Sequence, residues 1–92
     1  MSTEISDNAE QSRYEIRLDG DLAGFAEYER GEGALVFTHT EVGSAFEGKG
    51  LGSALARGAL DDVRSKGLSV VPLCPFIKKW IHRHPDYHDL VS

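Results

Sequence analysis

Three glycines, one histidine and one cysteine carry the clearest chemical character in this chain. Gly48, Gly50 and Gly52 alternate between a β-like run, Ala34 to Val42, and a helix-like run, Leu51 to Lys66. Glycine lets the backbone turn sharply and lets a ligand approach bare N–H groups without meeting a Cβ. A helix that starts directly behind such a turn adds its own unpaired N–H groups and the positive end of its dipole. Together these make an anion site, most often for phosphate or pyrophosphate. A plain strand-to-helix turn with no ligand needs one such glycine rather than three. His39 lies on the segment leading into the turn, and imidazole, which titrates near neutrality, suits accepting a proton; a histidine held by structural hydrogen bonds is the alternative. Glu41 shares its face by strand alternation and either assists His39 or faces solvent. Cys74 is a candidate nucleophile, although an isolated cysteine also serves as a small buried hydrophobe.

The elements that must position these groups follow from the hydrophobic pattern. Residues 1–12 are polar and read as a loose, flexible tail. From Arg13 the pattern is strand-like: Tyr14, Ile16 and Leu18 alternate with Arg13, Glu15 and Arg17. Asp19-Gly20-Asp21 signals a tight hairpin. A second strand, Leu22 to Arg30, sets Phe25 and Ala23 against Glu27 and Glu29, and Gly31-Glu32-Gly33 turns the chain again. The third strand is Ala34 to Val42. Behind the glycine turn, Leu51, Leu55, Ala59 and Val63 recur every four residues as one apolar helix stripe. Arg57 and Asp61 are spaced as an i,i+4 pair on a more exposed face, and Gly67 stops the helix. Leu68 to Cys74 is a short apolar strand suited to parallel pairing, reached by a right-handed crossover. Pro75 starts a short helix, with Phe76, Ile77, Trp80 and Ile81 as its packing face, and Pro85 closes it. The fold class is α+β: an antiparallel meander, a helix, a parallel returning strand and a short C-terminal helix. It forms a single domain over residues 13–92.

The 92 residues are 40% hydrophobic, enough for one small core. No apolar run approaches the roughly 20 residues that span a bilayer, and the N-terminus lacks the regions of a signal peptide, so the expected location is cytoplasmic, with no membrane partner. One cysteine excludes an intrachain disulfide and fits a reducing compartment. Fifteen acidic against ten basic residues give a net charge of −5, which disfavours nucleic acid as a partner. Most of the acidic residues precede the helix, which suits a cationic acceptor and equally suits solubility. His82, His84 and His88 do not converge on one helical face, and no metal is expected.

Two familiar phosphate motifs fail here. Gly43 to Lys49 begins like a P-loop, but Gly50 stands where a Ser or Thr should hold Mg²⁺. The dinucleotide fingerprint needs Gly-x-Gly-x-x-Gly, whereas this chain has Gly48-x-Gly50-x-Gly52. A meander followed by a glycine turn, a helix and a returning strand resembles the Gcn5-related N-acetyltransferase (GNAT) superfamily. Within it, the region from Tyr14 to Val91 resembles the small single-domain branch. The resemblance rests on Thr38 to Val42, the turn Phe46 to Gly52, the Cys74 region and His84-Pro85-Asp86-Tyr87. Glu47 departs from the superfamily's usual Arg or Gln, so backbone rather than the Glu47 side chain is expected to meet phosphate. The N-terminal helices that usually shape the acceptor pocket have no counterpart.

The resemblance implies an acetyl-coenzyme A-dependent N-acetyltransferase, with acetyl-coenzyme A as co-substrate and an amine on a small molecule or protein as acceptor. The turn would hold the pyrophosphate and the preceding strand would pair with the pantetheine arm. The implied cofactor set is Thr40, Glu41, Val42, Glu47, Gly48, Lys49, Gly50, Leu51, Gly52, Ser53, Phe76 and Lys79. His39 is the candidate base, and Cys74 the candidate nucleophile or thiol neighbour. The rival expectation is a non-catalytic coenzyme A-binding or protein-interaction module.

Overall fold

The computed structural model describes residues 2–91; Met1 and Ser92, at the ends of the expected tail and domain, lie outside the described residues. Five strands form one sheet in the order β1 (Thr3–Asn8), β2 (Arg13–Leu18), β3 (Asp21–Gly31), β4 (Ala34–Val42) and β5 (Ser69–Pro72). The first four are antiparallel, and β5 joins β4 in parallel through the crossover helix α1 (Leu51–Ser65). A short helix α2 (Pro75–His82) and a 3₁₀ turn (Pro85–Leu90) complete the chain. The α+β meander with its parallel return is the architecture expected from the pattern.

The segment read as a loose tail is ordered as β1. Ile5 opposite Ile16 and Asp7 opposite Tyr14 put one apolar and one hydrogen-bonding residue on the helix face. Ile5 lies over Gly58 of α1, so closely that a Cβ on Gly58 would overlap its side chain. Lys66 Nζ then ties Asp7 Oδ2 (2.9 Å) to Asp62 Oδ2 (2.7 Å), and the Tyr14 hydroxyl donates to the same Asp62 oxygen at 2.6 Å. These anchors involve residues up to 59 positions apart, so local composition around residues 3–8 does not reveal them.

Leu51, Leu55, Ala59 and Val63 are all buried, as the stripe requires, against Tyr14, Ile16, Leu35 and Phe37 of the sheet. Arg57 and Asp61 do not bond directly. Arg57 donates to the Tyr87 hydroxyl (3.1 Å), which donates to Asp61 Oδ1 (2.6 Å), so Tyr87 bridges them and binds the C-terminal turn to α1. No helix is long and apolar enough to cross a membrane among the described residues.

Two irregularities in the ladder decide which side chains face the helices. Between β2 and β3, Ile16 opposes Gly24 and Arg17 opposes Leu22, leaving Ala23 as an extra, bulged residue. Buried Ala26 and Tyr28 therefore face the core, while Phe25 turns to the opposite face beneath the Arg13 guanidinium, 4.6 Å from its ring. The expected phase of this strand, with Phe25 inward and Glu27 outward, is thus corrected. Between β3 and β4, Tyr28 opposes Phe37 and Glu27 opposes His39, leaving Thr38 bulged. Up to Phe37 the odd residues are inside; beyond Thr38, Thr40 and Val42 turn inward and His39 and Glu41 turn outward.

Candidate functional site

The glycine turn reaches α1 through two left-handed residues. Gly48 has φ +79° and Gly50, the N-cap of α1, has φ +72° and ψ 15°. Nothing lies within 4 Å of where a Cβ would stand on either residue, so the turn presents bare backbone to open space. No side chain caps the helix and no acidic residue occupies its first turn. Ala54 is the first residue whose N–H enters the helical ladder, onto Gly50 O at 3.1 Å. The N–H groups of Leu51, Gly52 and Ser53 precede it without an intrahelical acceptor, at the positive end of the helix dipole.

A cavity of about 460 Å³ opens in front of these groups. One wall is Gly48, Gly50, Leu51, Gly52 and Ser53 of the turn and first helical turn; Val42, Phe46 and Glu47 form the approach. The opposite wall is α2 and its end, with Phe76, Lys79, Trp80, Arg83 and His84. Nine of the expected cofactor residues line this cavity: Val42, Glu47, Gly48, Gly50, Leu51, Gly52, Ser53, Phe76 and Lys79. Thr40, Glu41 and Lys49 do not, although Thr40 lies on the strand leading into it. Lys79 and Arg83 bring positive charge to the α2 wall, and Glu47 brings the one carboxylate to the lining.

The two walls are held at a set distance by side chains. The Trp80 indole N–H donates to Ser53 Oγ at 2.8 Å, and the Phe76 ring fills the space left by the absent Cβ of Gly52. His84 stacks on Trp80 with ring centroids 3.8 Å apart, 13° from parallel. Its Nδ1 lies 2.6 Å from the Trp80 carbonyl oxygen; a carbonyl only accepts, so Nδ1 carries the hydrogen there. Trp80 is buried in the core as read from the sequence, but it also lines the cavity, and this and the cavity placement of His84, weighed there for metal binding, are what the sequence reasoning missed. The signal was present: Phe76, Lys79, Trp80 and Arg83 stand at i, i+3, i+4 and i+7, one stripe of α2. Among the described residues no cluster of His, Cys, Asp and Glu is arranged to hold a metal ion.

The sheet splits beside this cavity. β5 pairs with β4 only from Ala34 opposite Ser69 to Phe37 opposite Pro72. Pro72 has no N–H to continue the ladder, and the N–H groups of Leu73 and Cys74 both fold back onto Phe37 O, at 3.0 and 2.8 Å. Thr38 to Val42 therefore run on with β3 on one side and, among the described residues, no strand on the other. Cys74 is 3% exposed at the root of the split, and its Sγ lies 3.3 Å from Thr40 Oγ1. His39 is elsewhere: its Nε2 lies 3.0 Å from Glu41 Oε1 on the open face, with side chains 52% and 59% exposed, respectively. The bulge at Thr38 thus gives Cys74 the hydroxyl of Thr40 as its neighbour and sends the imidazole to the far side of β4.

A family model described as GCN5-related N-acetyl-transferase matches residues 13–90, from the start of β2 to the end of the final turn. Protein NATD1 of Xenopus tropicalis is 29% identical over 86 residues, which cover 91% of this chain and 79% of that protein. The Mus musculus protein of the same name is 29% identical over 83 residues, covering 88% and 76%. Among solved structures, a GCN5-like protein of Staphylococcus aureus superposes with a TM-score of 0.73 at 20% identity, over 97% of this chain and 87% of that one. Ribosomal-protein-alanine N-acetyltransferase from Brucella melitensis biovar Abortus gives 0.60 at 23% identity, over 87% and 60%. At these identities the two structures speak for the fold alone. The family model, however, covers the meander, the glycine turn, the split sheet and both helices together, and on that match the chain belongs to the GCN5-related N-acetyltransferase family.

Proposed function

We propose that the protein is an acetyl-coenzyme A-dependent N-acyltransferase that holds its donor's pyrophosphate on the backbone of residues 48–53. The observation that carries this reading is the uncapped start of α1, approached through two left-handed glycines and opening on the 460 Å³ cavity. Oriented N–H groups at a helix start favour phosphate oxygens, and Lys79 and Arg83 on the facing wall add charge of the required sign. The free side of Thr38 to Val42 offers backbone donors and acceptors to an extended amide-bearing chain such as pantetheine. Its thioester would lie toward the root of the split, beside Thr40 and Cys74. The donor supplies an activated acyl group; this chain's residues bind and orient it.

A titration with acetyl-coenzyme A, coenzyme A and ATP, followed by backbone amide shifts, tests the reading. Coenzyme A should move residues 48–53 and 40–42 and should bind more tightly than ATP. Gly50→Ala should weaken coenzyme A binding while the helix persists. Tighter ATP binding, or shifts centred away from the α1 start, would refute the proposal.

The burial of Cys74 and the outward placement of His39 favour one second reading, a coenzyme A-binding module without an acceptor. Acetyl-coenzyme A separates the two. An acetyl mass gained on Cys74, or acetylation of any offered amine, excludes the module.

A further inference from the structure

We propose that α2 carries a second binding site, for a small organic carboxylate with an apolar body, and that Lys79 couples this site to the donor cavity. The coupling, though not the binding, rests on the donor reading above. A cavity of about 520 Å³ lies between the end of β5, α2 and the C-terminal turn, a volume typical of small-molecule sites. Its apolar lining is Pro72 of β5, Pro75 and Ile81 of α2, and Val91 behind the turn. Ile81 is buried, whereas Val91 is 41% exposed. A parallel bridge from Val70 to Val91 holds that residue against the edge of β5.

The charged lining is of one sign. Lys78, Lys79, His82 and His88 border this cavity, and among the described residues no carboxylate does. Fifteen acidic residues face ten basic ones in the whole chain, so this local excess of cations runs against the overall charge. The cations at the end of α1 are neutralised: Arg64 pairs with Asp89, and Lys66 pairs with Asp7 and Asp62. Among the described residues Lys78 and Lys79 have no such partner. Asp89, next to His88 in the chain, has both oxygens on Arg64, at 2.8 and 3.0 Å. His88 Nε2 lies 3.3 Å from the His82 carbonyl oxygen and carries the hydrogen there, which ties the turn to the end of α2. A matching ligand lays its apolar body on the prolines, Ile81 and Val91 and sets its carboxylate among the ammonium groups.

Pro75, Lys78, Lys79 and His82 stand at i, i+3, i+4 and i+7, a stripe of α2 beside the one that lines the donor cavity. Lys79 belongs to both stripes and lines both cavities. One ammonium cannot serve a phosphate on one side and a carboxylate on the other at full strength. An anion in the second cavity therefore weakens the donor's hold, and the donor weakens the anion's by the same factor, because coupling between sites is reciprocal. Lys79 is exposed, and for one exposed charge contact that factor is about two- to fivefold.

The test uses the full chain with octanoate as the probe, octanamide as its uncharged counterpart and acetate as the carboxylate without an apolar body. In the absence of coenzyme A, octanoate should shift the amides of Lys78, Lys79, His82 and His88, and each counterpart should bind far more weakly. Absent shifts, or equal affinity for octanamide or for acetate, would overturn the proposal. Tighter binding of tetraglutamate would overturn it in favour of an acidic peptide. Lys78→Gln, at an exposed position outside the donor cavity, should weaken octanoate about two- to fivefold and leave coenzyme A affinity unchanged. Wild-type octanoate affinity in that variant would also count against the site. Saturating octanoate should weaken coenzyme A binding about two- to fivefold in the wild type and not in Lys79→Gln. An undiminished effect in Lys79→Gln, or none in the wild type, would overturn the coupling. Failure of the donor reading has a different signature: coenzyme A leaves residues 48–53 unmoved while octanoate still shifts α2.

Discussion

The indole N–H of Trp80 donates to the hydroxyl of Ser53 at 2.8 Å, joining the middle of α2 to the first turn of α1. Twenty-seven residues separate the two in sequence, yet this bond sets the width of the cavity between them. Trp80 is buried, but Ser53 is exposed and both line the open cavity, so water can take the place of a lost acceptor.

Ser53→Ala should therefore cost about 0.5–1.5 kcal/mol of stability, the net worth of one hydrogen bond whose donor water can reach. Urea unfolding measures it. The same variant should weaken coenzyme A binding, because α2 is released from α1; Ser53→Thr, which keeps the hydroxyl, should restore most of both.

Glu47 is the one carboxylate lining a cavity read here as an anion site. Its side chain is exposed, so its repulsion of phosphate is screened and amounts to about 0.5–1 kcal/mol. Glu47→Gln should tighten coenzyme A binding roughly two- to fivefold at low salt, with the gain shrinking as salt rises. Isothermal titration at two ionic strengths checks both the sign and the trend.

Gly58 is where β1 meets α1. A Cβ there would overlap the Ile5 side chain, and Ile5 Cβ itself lies 3.2 Å from the added atom. Gly58→Ala gains about 1 kcal/mol of helix propensity but forces an overpacking cost of about 1–3 kcal/mol. The net expected effect is loss of stability, with increased amide exchange in Thr3–Asn8. Combining it with Ile5→Ala should be less damaging than the sum of the single changes, a coupling that a double-mutant cycle reads directly.

The polar anchors make stability fall at both ends of the pH range. Burial pushes the Glu15 carboxyl up, but hydrogen bonds from Arg13 and Asn8 and the charges of Arg13 and Arg17 outweigh it and hold the group below its usual range. Burial likewise raises Asp62, and the hydrogen bonds from Lys66 and Tyr14 outweigh it. Carboxylates depressed in the folded state stabilise it above their unfolded values, near ~4, and that contribution is lost as pH falls through the folded values. Tyr14 and Tyr28 are raised, first by burial and then by hydrogen bonds to Asp62 and Asp7. Their contribution is complete below the unfolded value near ~10 and declines as pH rises beyond it. Thermal unfolding should show a plateau between roughly pH 5 and 9, with Tyr14→Phe flattening the alkaline side.

Much of the fold was legible in the chain because its signals are local. Period-two alternation marked β2, β-branched and aromatic residues marked β4, a four-residue apolar recurrence marked α1, and prolines and glycines marked where these elements stop. The glycine turn was legible for the same reason: alternating residues without a Cβ ahead of a helix define a backbone shape, and backbone shape is a short-range property. Side-chain facing across the sheet was not. Ala23 and Thr38 look like ordinary strand residues, and only pairing with a neighbouring strand makes each of them a bulge. A single bulge reverses the facing of every residue after it, and this is why His39 and Glu41 lie on the open face while Thr40 meets Cys74. The β1 strand was hidden likewise, since its anchors on Gly58, Asp62 and Lys66 exist only after the chain has folded back. The sequence by itself determined the order of elements from β2 onward and the place of the glycine turn. Tertiary pairing alone decided which side chains face the cavity beside that turn and which face solvent, because register is set by contacts between segments far apart in the chain.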